Sequence, residues 1–139
     1  MTAETLQLAA HPDSLAQINQ FVADFCESHH IGPEIMFELQ LVLEELIVNV
    51  YMHGGAGVEG ELTVAVSLAC ADSRLQMTVT DNGRQFDPLA QCAPATDLAL
   101  EERPVGGLGI MLVREMMDDM HYQYADGTNQ LSMSKSLER

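Results

Sequence analysis

Two runs of alternating apolar residues, joined by a turn, restrict this chain more than any other feature. Leu62, Val64, Val66, Leu68 and Cys70 take every second position, and Leu75, Met77 and Val79 do so again after Ala71-Asp72-Ser73. Successive strand side chains point to opposite faces, so each run is a half-buried strand and the pair reads as a hairpin. A sheet with one apolar face must bury it under a second layer. Segments of helical period supply that layer. Leu15, Ile18, Phe21, Val22 and Phe25 form one, fading near His29-His30, with Ser14 and Gln17 placed as a capping box. Leu39, Leu43, Leu46, Ile47 and Val50 form the core arc of another, which starts at Pro33 and runs to about His53. A third leads from the glycine cluster "GGLG" to near Met120. Residues 4–10, "ETLQLAA", read as a short strand, and "HYQYA" and "NQLSMSKSL" as two more around Asp126-Gly127. The order β-α-α-β-β-loop-α-β-β predicts an α+β sandwich: a mixed, mostly antiparallel sheet with helices on one face, in a single domain over residues 1–139.

Composition narrows the function. Six basic residues stand against 21 acidic ones, for a net charge of −15. Such a surface repels nucleic acid phosphates and anionic membranes, so neither is expected as a direct partner. No apolar run approaches the roughly 18 residues of a membrane span. The first residues show no basic start followed by an apolar core, and Cys26, Cys70 and Cys92 are scattered without a CxxC pair. The expectation is a cytoplasmic protein. The one lysine, Lys135, is a poor clamp for a polyphosphate, so a cation and backbone amides must carry more of any such neutralisation.

Polar groups interrupt the apolar pattern in three places. Glu45, Asn49 and His53 recur every four residues along the second helix, beside its core arc. A carboxylate and a carboxamide there supply oxygen ligands suited to Mg²⁺, or simply a polar helix edge, and His53 suits the negative end of the helix dipole. In "LQMTVTDNGRQFDP", stepping by two from Leu75 through Met77 and Val79 lands on Asp81. That carboxylate falls in register with the buried set; it either caps the Asn82-Gly83 turn or accepts a hydrogen bond from a ligand amino group. In "RPVGGLGIMLVREMMDDM", Gly106, Gly107 and Gly109 precede and enter a helix, as a hinge or as a close approach to phosphate. Between the last two sites, Leu89 to Val105 has no clear period and holds Pro94 and Pro104. A stretch that long is a lid, a binding loop or disordered.

In this order and spacing the motifs resemble the GHKL ATPase superfamily, and most closely the anti-sigma-factor serine kinases. "EELIVNVYMHG" resembles the family's N-box, "DNGRQFDP" its first glycine box, "GGLGIMLV" its second and "DGTNQLSM" its closing Gly-Thr strand pair. The resemblance covers nearly the whole chain. It implies a Bergerat-type ATP-binding fold with ATP and Mg²⁺ as cofactors. Asn49 would ligate Mg²⁺ and Glu45 would be the general base. Asp81 would bind the adenine amino group, supported by Gly83 and Thr128, and would favour ATP over GTP. Gly107 and Gly109 would lie against the phosphates, with His53, Phe86, Gly106 and Leu108 completing the nucleotide contacts and residues 89–105 forming the lid. Gln85 replaces the second glycine common in the first box of the wider superfamily, and Phe86-Asp87-Pro88 follows; that pattern is what points to the anti-sigma group. Arg103 stands further from the glycines than in some members.

The implied activity is ATP-dependent phosphorylation of a serine on an anti-anti-sigma (STAS-type) antagonist, with a sigma factor as the second partner and a homodimer as the assembly. Two alternatives share these residues. One is a nucleotide-gated binding module without phosphoryl transfer. The other is a sigma-independent regulator using the same chemistry.

Overall fold

The computed structural model describes residues 3–55, 60–91 and 107–138, the side chains of Gln91 and Leu108 excepted. Five strands and three α-helices make up this part. Strand β1 (Glu4–Ala9) is followed by helices α1 (Leu15–Ser28) and α2 (Pro33–His53), the hairpin β2 (Thr63–Ala71) and β3 (Arg74–Asp81), helix α3 (Gly107–Met116), and the hairpin β4 (Asp119–Ala125) and β5 (Thr128–Ser136).

The sheet order is β1-β2-β3-β5-β4, and every neighbouring pair is antiparallel. The expected mixed sheet is therefore corrected: among the described strands there is no parallel pair. The reason is topological. The chain returns from α3 to the sheet edge as β4, and β5 folds back to fill the gap beside β3. Both hairpins close on two residues with positive φ, Asp72 (55°) with Ser73 (59°) and Asp126 (55°) with Gly127 (75°). That backbone twist matches the right-handed twist of the strands it joins.

Register puts the apolar residues of neighbouring strands side by side on one face: Val66 opposite Val79, Val79 opposite Leu131, Leu68 opposite Met77 and Met77 opposite Met133. They form one core cluster with Ile18, Val22 and Phe25 of α1, Leu39, Leu43 and Ile47 of α2, and Ile110 and Val113 of α3. The other face carries polar residues such as Gln76 and Ser132, both exposed. All three helices thus cover a single face of the sheet, as expected.

Helix α2 has the bounds its punctuation demands. Gly32 is extended at the N-cap, Pro33 sits in the first turn, and the Gly54 N–H closes the last turn on the Val50 carbonyl at 2.8 Å. At about 1.5 Å per residue, its 21 residues span the sheet and carry side chains from the core to one edge. Two other helix ends differ from expectation. Ser14 makes no side-chain cap; His11 Nδ1 instead accepts the Asp13 N–H at 3.0 Å, in a 3-10 turn ahead of α1. Helix α3 ends at Met116, not near Met120. The Asp118 N–H already donates to the Ser134 carbonyl at 2.9 Å, so pairing with β5 captures the chain. Met120 and Tyr122 then pack on the core at strand period.

Candidate functional site

The apolar face of β3 runs through Leu75, Met77 and Val79 to Asp81, and that of β5 through Met133 and Leu131 to Asn129. Register sets Asp81 directly opposite Asn129. The two polar groups are 9% and 5% exposed. A buried carboxylate needs donors, and Asp81 has two. The Gly83 N–H and the Asn129 Nδ2 each donate to its Oδ1 at 2.9 Å. Burial still dominates and pushes the Asp81 carboxyl above the ordinary range, while these two donors pull it back. Asn129 is saturated in turn. Its Nδ2 also donates to the Arg84 carbonyl at 2.8 Å, and its Oδ1 accepts the Phe86 N–H at 2.9 Å and the Tyr122 hydroxyl. Asp81, Asn129, Tyr122, Phe86, Val79 and Leu131 form one wall of a cleft whose opposite wall is Leu46, Asn49 and Val50 of α2.

The loop after β3 is tied to the end of α2. The Arg84 N–H donates to the Gly54 carbonyl at 2.9 Å and its Nε to the His53 carbonyl at 2.6 Å. A methyl group on Gly83 would stand 2.9 Å from the Gly54 Cα and carbonyl oxygen, so the two backbones meet only because Gly83 has no side chain. The His53 and Phe86 rings stack with centroids 4.8 Å apart.

Glu45 and Asn49 lie one helical turn apart on the side of α2 that faces α3. Glu45 is half-buried, and its carboxyl rests on the first turn of α3: a Cβ on Gly109 would fall 2.0 Å from Oε1. Burial raises the Glu45 carboxyl above its usual range, and the neighbouring Glu44 charge adds to the rise. Asn49 is 6% exposed and lines the cleft. A buried carboxamide oxygen beside a carboxylate fits Mg²⁺, which takes one or two protein ligands and completes its shell with water and phosphate. Among the described residues no cluster of three or more His, Cys, Asp or Glu side chains exists, so the donor set suits a cation shared with a ligand rather than an all-protein cage.

Of the residues singled out from sequence, Asn49, Asp81 and Phe86 line one cleft. Gly83 supports Asp81 from below, and Glu45 meets Gly109 at the neighbouring α2–α3 contact. His53 reaches the cleft through its ring, stacked on Phe86, and through its carbonyl, which accepts from Arg84 Nε. Gly107 opens α3, and Leu108 contributes backbone to its first turn. Thr128 is not among the lining residues. Its hydroxyl donates to the Ala125 carbonyl at 2.9 Å and accepts from Gln130 Nε2 at 3.0 Å, within the β4–β5 turn. Strand alternation puts it on the face opposite Asn129, which takes the place next to Asp81. Gly106, Arg103 and residues 92–105 of the expected lid lie outside the described residues; Pro88–Gln91 form a 3-10 turn. Asn129, Tyr122 and Arg84 are cleft residues that sequence reasoning missed. The signal for Asn129 was present: stepping back by two from Met133 and Leu131 lands on it, the same logic that found Asp81.

The sequence matches the histidine kinase-like ATPase domain family over residues 8–135. The serine-protein kinase RsbW of Listeria monocytogenes serovar 1/2a is 29% identical over 130 residues, which are 90% of this chain and 82% of that protein. The serine/threonine-protein kinase BtrW of Bordetella bronchiseptica is 29% identical over 133 residues, 94% of this chain and 92% of that protein. Among solved structures, the RsbU and RsbW domains of Rv1364c from Mycobacterium tuberculosis superpose on all of this chain with a TM-score of 0.69 at 13% identity, and this chain spans 33% of that one. The catalytic domain of histidine kinase ThkA superposes with a TM-score of 0.54 at 10% identity over 96% of this chain and 97% of its own. These structural likenesses speak to fold alone. The family match begins in β1, ends in β5 and takes in both walls of the cleft, so this chain belongs to the histidine kinase-like ATPase domain family.

Proposed function

We propose that the chain is an ATP-dependent protein serine kinase acting in partner switching. Its substrate is a serine on a STAS-type antagonist protein, and its second partner is a sigma factor that it holds inactive. One observation carries the kinase reading: the carboxyl of Glu45 rests against Gly109 at the start of α3, one turn from the buried Asn49. The names of the relatives above support the activity, and the resemblance to anti-sigma-factor kinases supports the partners, a homodimeric assembly and a cytoplasmic location. Among the described residues no helix is long and apolar enough to cross a membrane.

Each residue has a role in phosphoryl transfer, which depends on alignment and charge stabilisation more than on covalent help. Asp81 accepts a hydrogen bond from the adenine 6-amino group. Gly107 and Gly109 let the first turn of α3 approach phosphate, where its N–H groups and dipole favour negative charge. Asn49 would hold Mg²⁺, which when bound neutralises charge on the phosphate oxygens. The lysine of the chain is committed elsewhere, to Glu38 at 2.9 Å and the Met116 carbonyl. Glu45 accepts the proton of the serine hydroxyl as that oxygen bonds the γ-phosphorus and the bond to ADP breaks. A carboxyl whose proton affinity is raised by burial is closer to the neutral range in which a base works best, and such a base contributes about 10²–10⁴-fold.

The test is transfer of labelled γ-phosphate from Mg-ATP to a purified STAS-type antagonist. Wild type should label a serine, and Glu45→Ala should lose about 10²-fold or more in rate while still binding ATP. Equal transfer by the two proteins would remove Glu45 from the chemistry. Nucleotide binding without any transfer by wild type would favour the gated binding module.

A further inference from the structure

We infer that Tyr122, acting through Asn129, is a positioning residue that sets which purine the cleft takes: its hydroxyl holds the Asn129 carboxamide, and Asn129 pins one oxygen of Asp81 so that the other presents a fixed acceptor to a 6-amino group. This rests on the reading of the cleft as an ATP site and adds the residues that make it selective.

The orientation of Asn129 follows from its neighbours. The Phe86 N–H can only donate, and it meets Oδ1 at 2.9 Å. The Arg84 carbonyl can only accept, and it meets Nδ2 at 2.8 Å. A flipped carboxamide would set acceptor against acceptor at Arg84 and Asp81, and donor against donor at Phe86. The Tyr122 hydroxyl, which can donate or accept, therefore donates to Oδ1 as a second fastener. Tyr122 reaches it from the neighbouring strand, where Tyr124 is the residue directly opposite Asn129.

Asp81 receives the consequence. Its Oδ1 already takes two N–H donors, from Gly83 and Asn129. Oδ2 has none among the described residues and is left to the ligand. A 6-amino purine offers that oxygen a donor, and a 6-oxo purine offers it a second acceptor. Without Asn129, Asp81 can turn or take a proton on Oδ2, which burial already favours. A protonated Oδ2 would donate to a 6-oxo group, and selectivity would fall.

The experiment is calorimetric binding of Mg-ATP and Mg-ITP to wild type, Tyr122→Phe, Asn129→Ala and the double variant. Tyr122→Phe keeps the ring that lines the cleft and removes only the hydroxyl, so it remains informative even if Asn129→Ala fails to fold. The ATP-to-ITP affinity ratio should drop about tenfold in Tyr122→Phe and further in Asn129→Ala. Tyr122→Phe should then have no added effect in the Asn129→Ala background. Carboxyl NMR titration of the ligand-free protein should show the Asp81 pKa rising in both single variants. An unchanged ratio, or ATP and ITP weakening equally, overturns the inference, as does an additive double variant. If wild type binds neither nucleotide, the ATP reading itself is overturned; the ligand-free titration still reports whether Tyr122 acts on Asp81.

Discussion

A methyl group at Gly83 would meet backbone, the Cα and carbonyl of Gly54 at 2.9 Å, whereas one at Gly109 would meet the end of the Glu45 side chain. Backbone cannot swing aside, so Gly83→Ala should lose about 1–3 kcal/mol of stability in urea denaturation. A glutamate can rotate, and alanine favours a helix over glycine by roughly 1 kcal/mol. Gly109→Ala should therefore unfold within about 1 kcal/mol of wild type while losing phosphotransfer about as far as Glu45→Ala does. Asp81 offers a different separation. Burial raises its carboxyl in the folded state, so the folded protein binds that proton more tightly than the unfolded chain does. Its contribution is most favourable below the ordinary carboxylate range and declines as pH rises from there through the raised folded value. Asp81→Asn keeps an oxygen for the Gly83 and Asn129 donors and removes the titration. Calorimetric melts from mildly acidic to neutral pH should show a higher Tm for the variant at neutral pH and a difference that vanishes toward acid. The same variant should no longer bind Mg-ATP.

Lys135 on β5 joins two helices, pairing with Glu38 of α2 at 2.9 Å and donating to the Met116 carbonyl at the end of α3. Both ionic side chains are mostly covered, at 15% and 26% exposure. Lys135→Ala would leave Glu38 without its partner and the last turn of α3 without its donor, and should cost about 1–3 kcal/mol. Combining Glu38→Leu with Lys135→Met should recover most of that loss, because an apolar pair avoids desolvating two charges. Chemical denaturation of wild type and these two variants checks both statements. Legibility also varies between elements. Pro33 and Gly54 bound α2 because one has a fixed φ and no N–H, and the other follows the last helical turn, both of them local facts. The end of α3 is not a local fact, because Met116, Met117 and Met120 satisfy a helical and a strand period alike; pairing of Asp118 with Ser134 decides between them.

A net charge of −15 on 139 residues makes the whole molecule repel itself. Arg74 with Asp119, at 2.8 Å, and Lys135 with Glu38 offset only a little of it. Raising ionic strength from about 0.01 M to about 0.15 M shortens the screening length from about 30 Å to about 8 Å. Stability should then rise by about 1 kcal/mol, or roughly 3–6 °C in Tm, seen in melts at fixed pH. A fall with added salt would mean that the ion pairs outweigh the repulsion. Alternation and helical period, read locally, sufficed to determine the number and kind of elements, the single apolar face of the sheet, and the candidacy of Glu45, Asn49 and Asp81, because each depends only on which side of its own element a residue occupies. Only the tertiary structure decided what those residues meet. The insertion of β5 beside β3 made every described strand pair antiparallel, set Asn129 rather than Thr128 against Asp81, and brought the Tyr122 hydroxyl onto Asn129. The packing of α3 on α2 laid Glu45 against Gly109. These contacts join residues far apart in the chain, and their register is fixed by long-range burial and backbone pairing, which no local pattern carries.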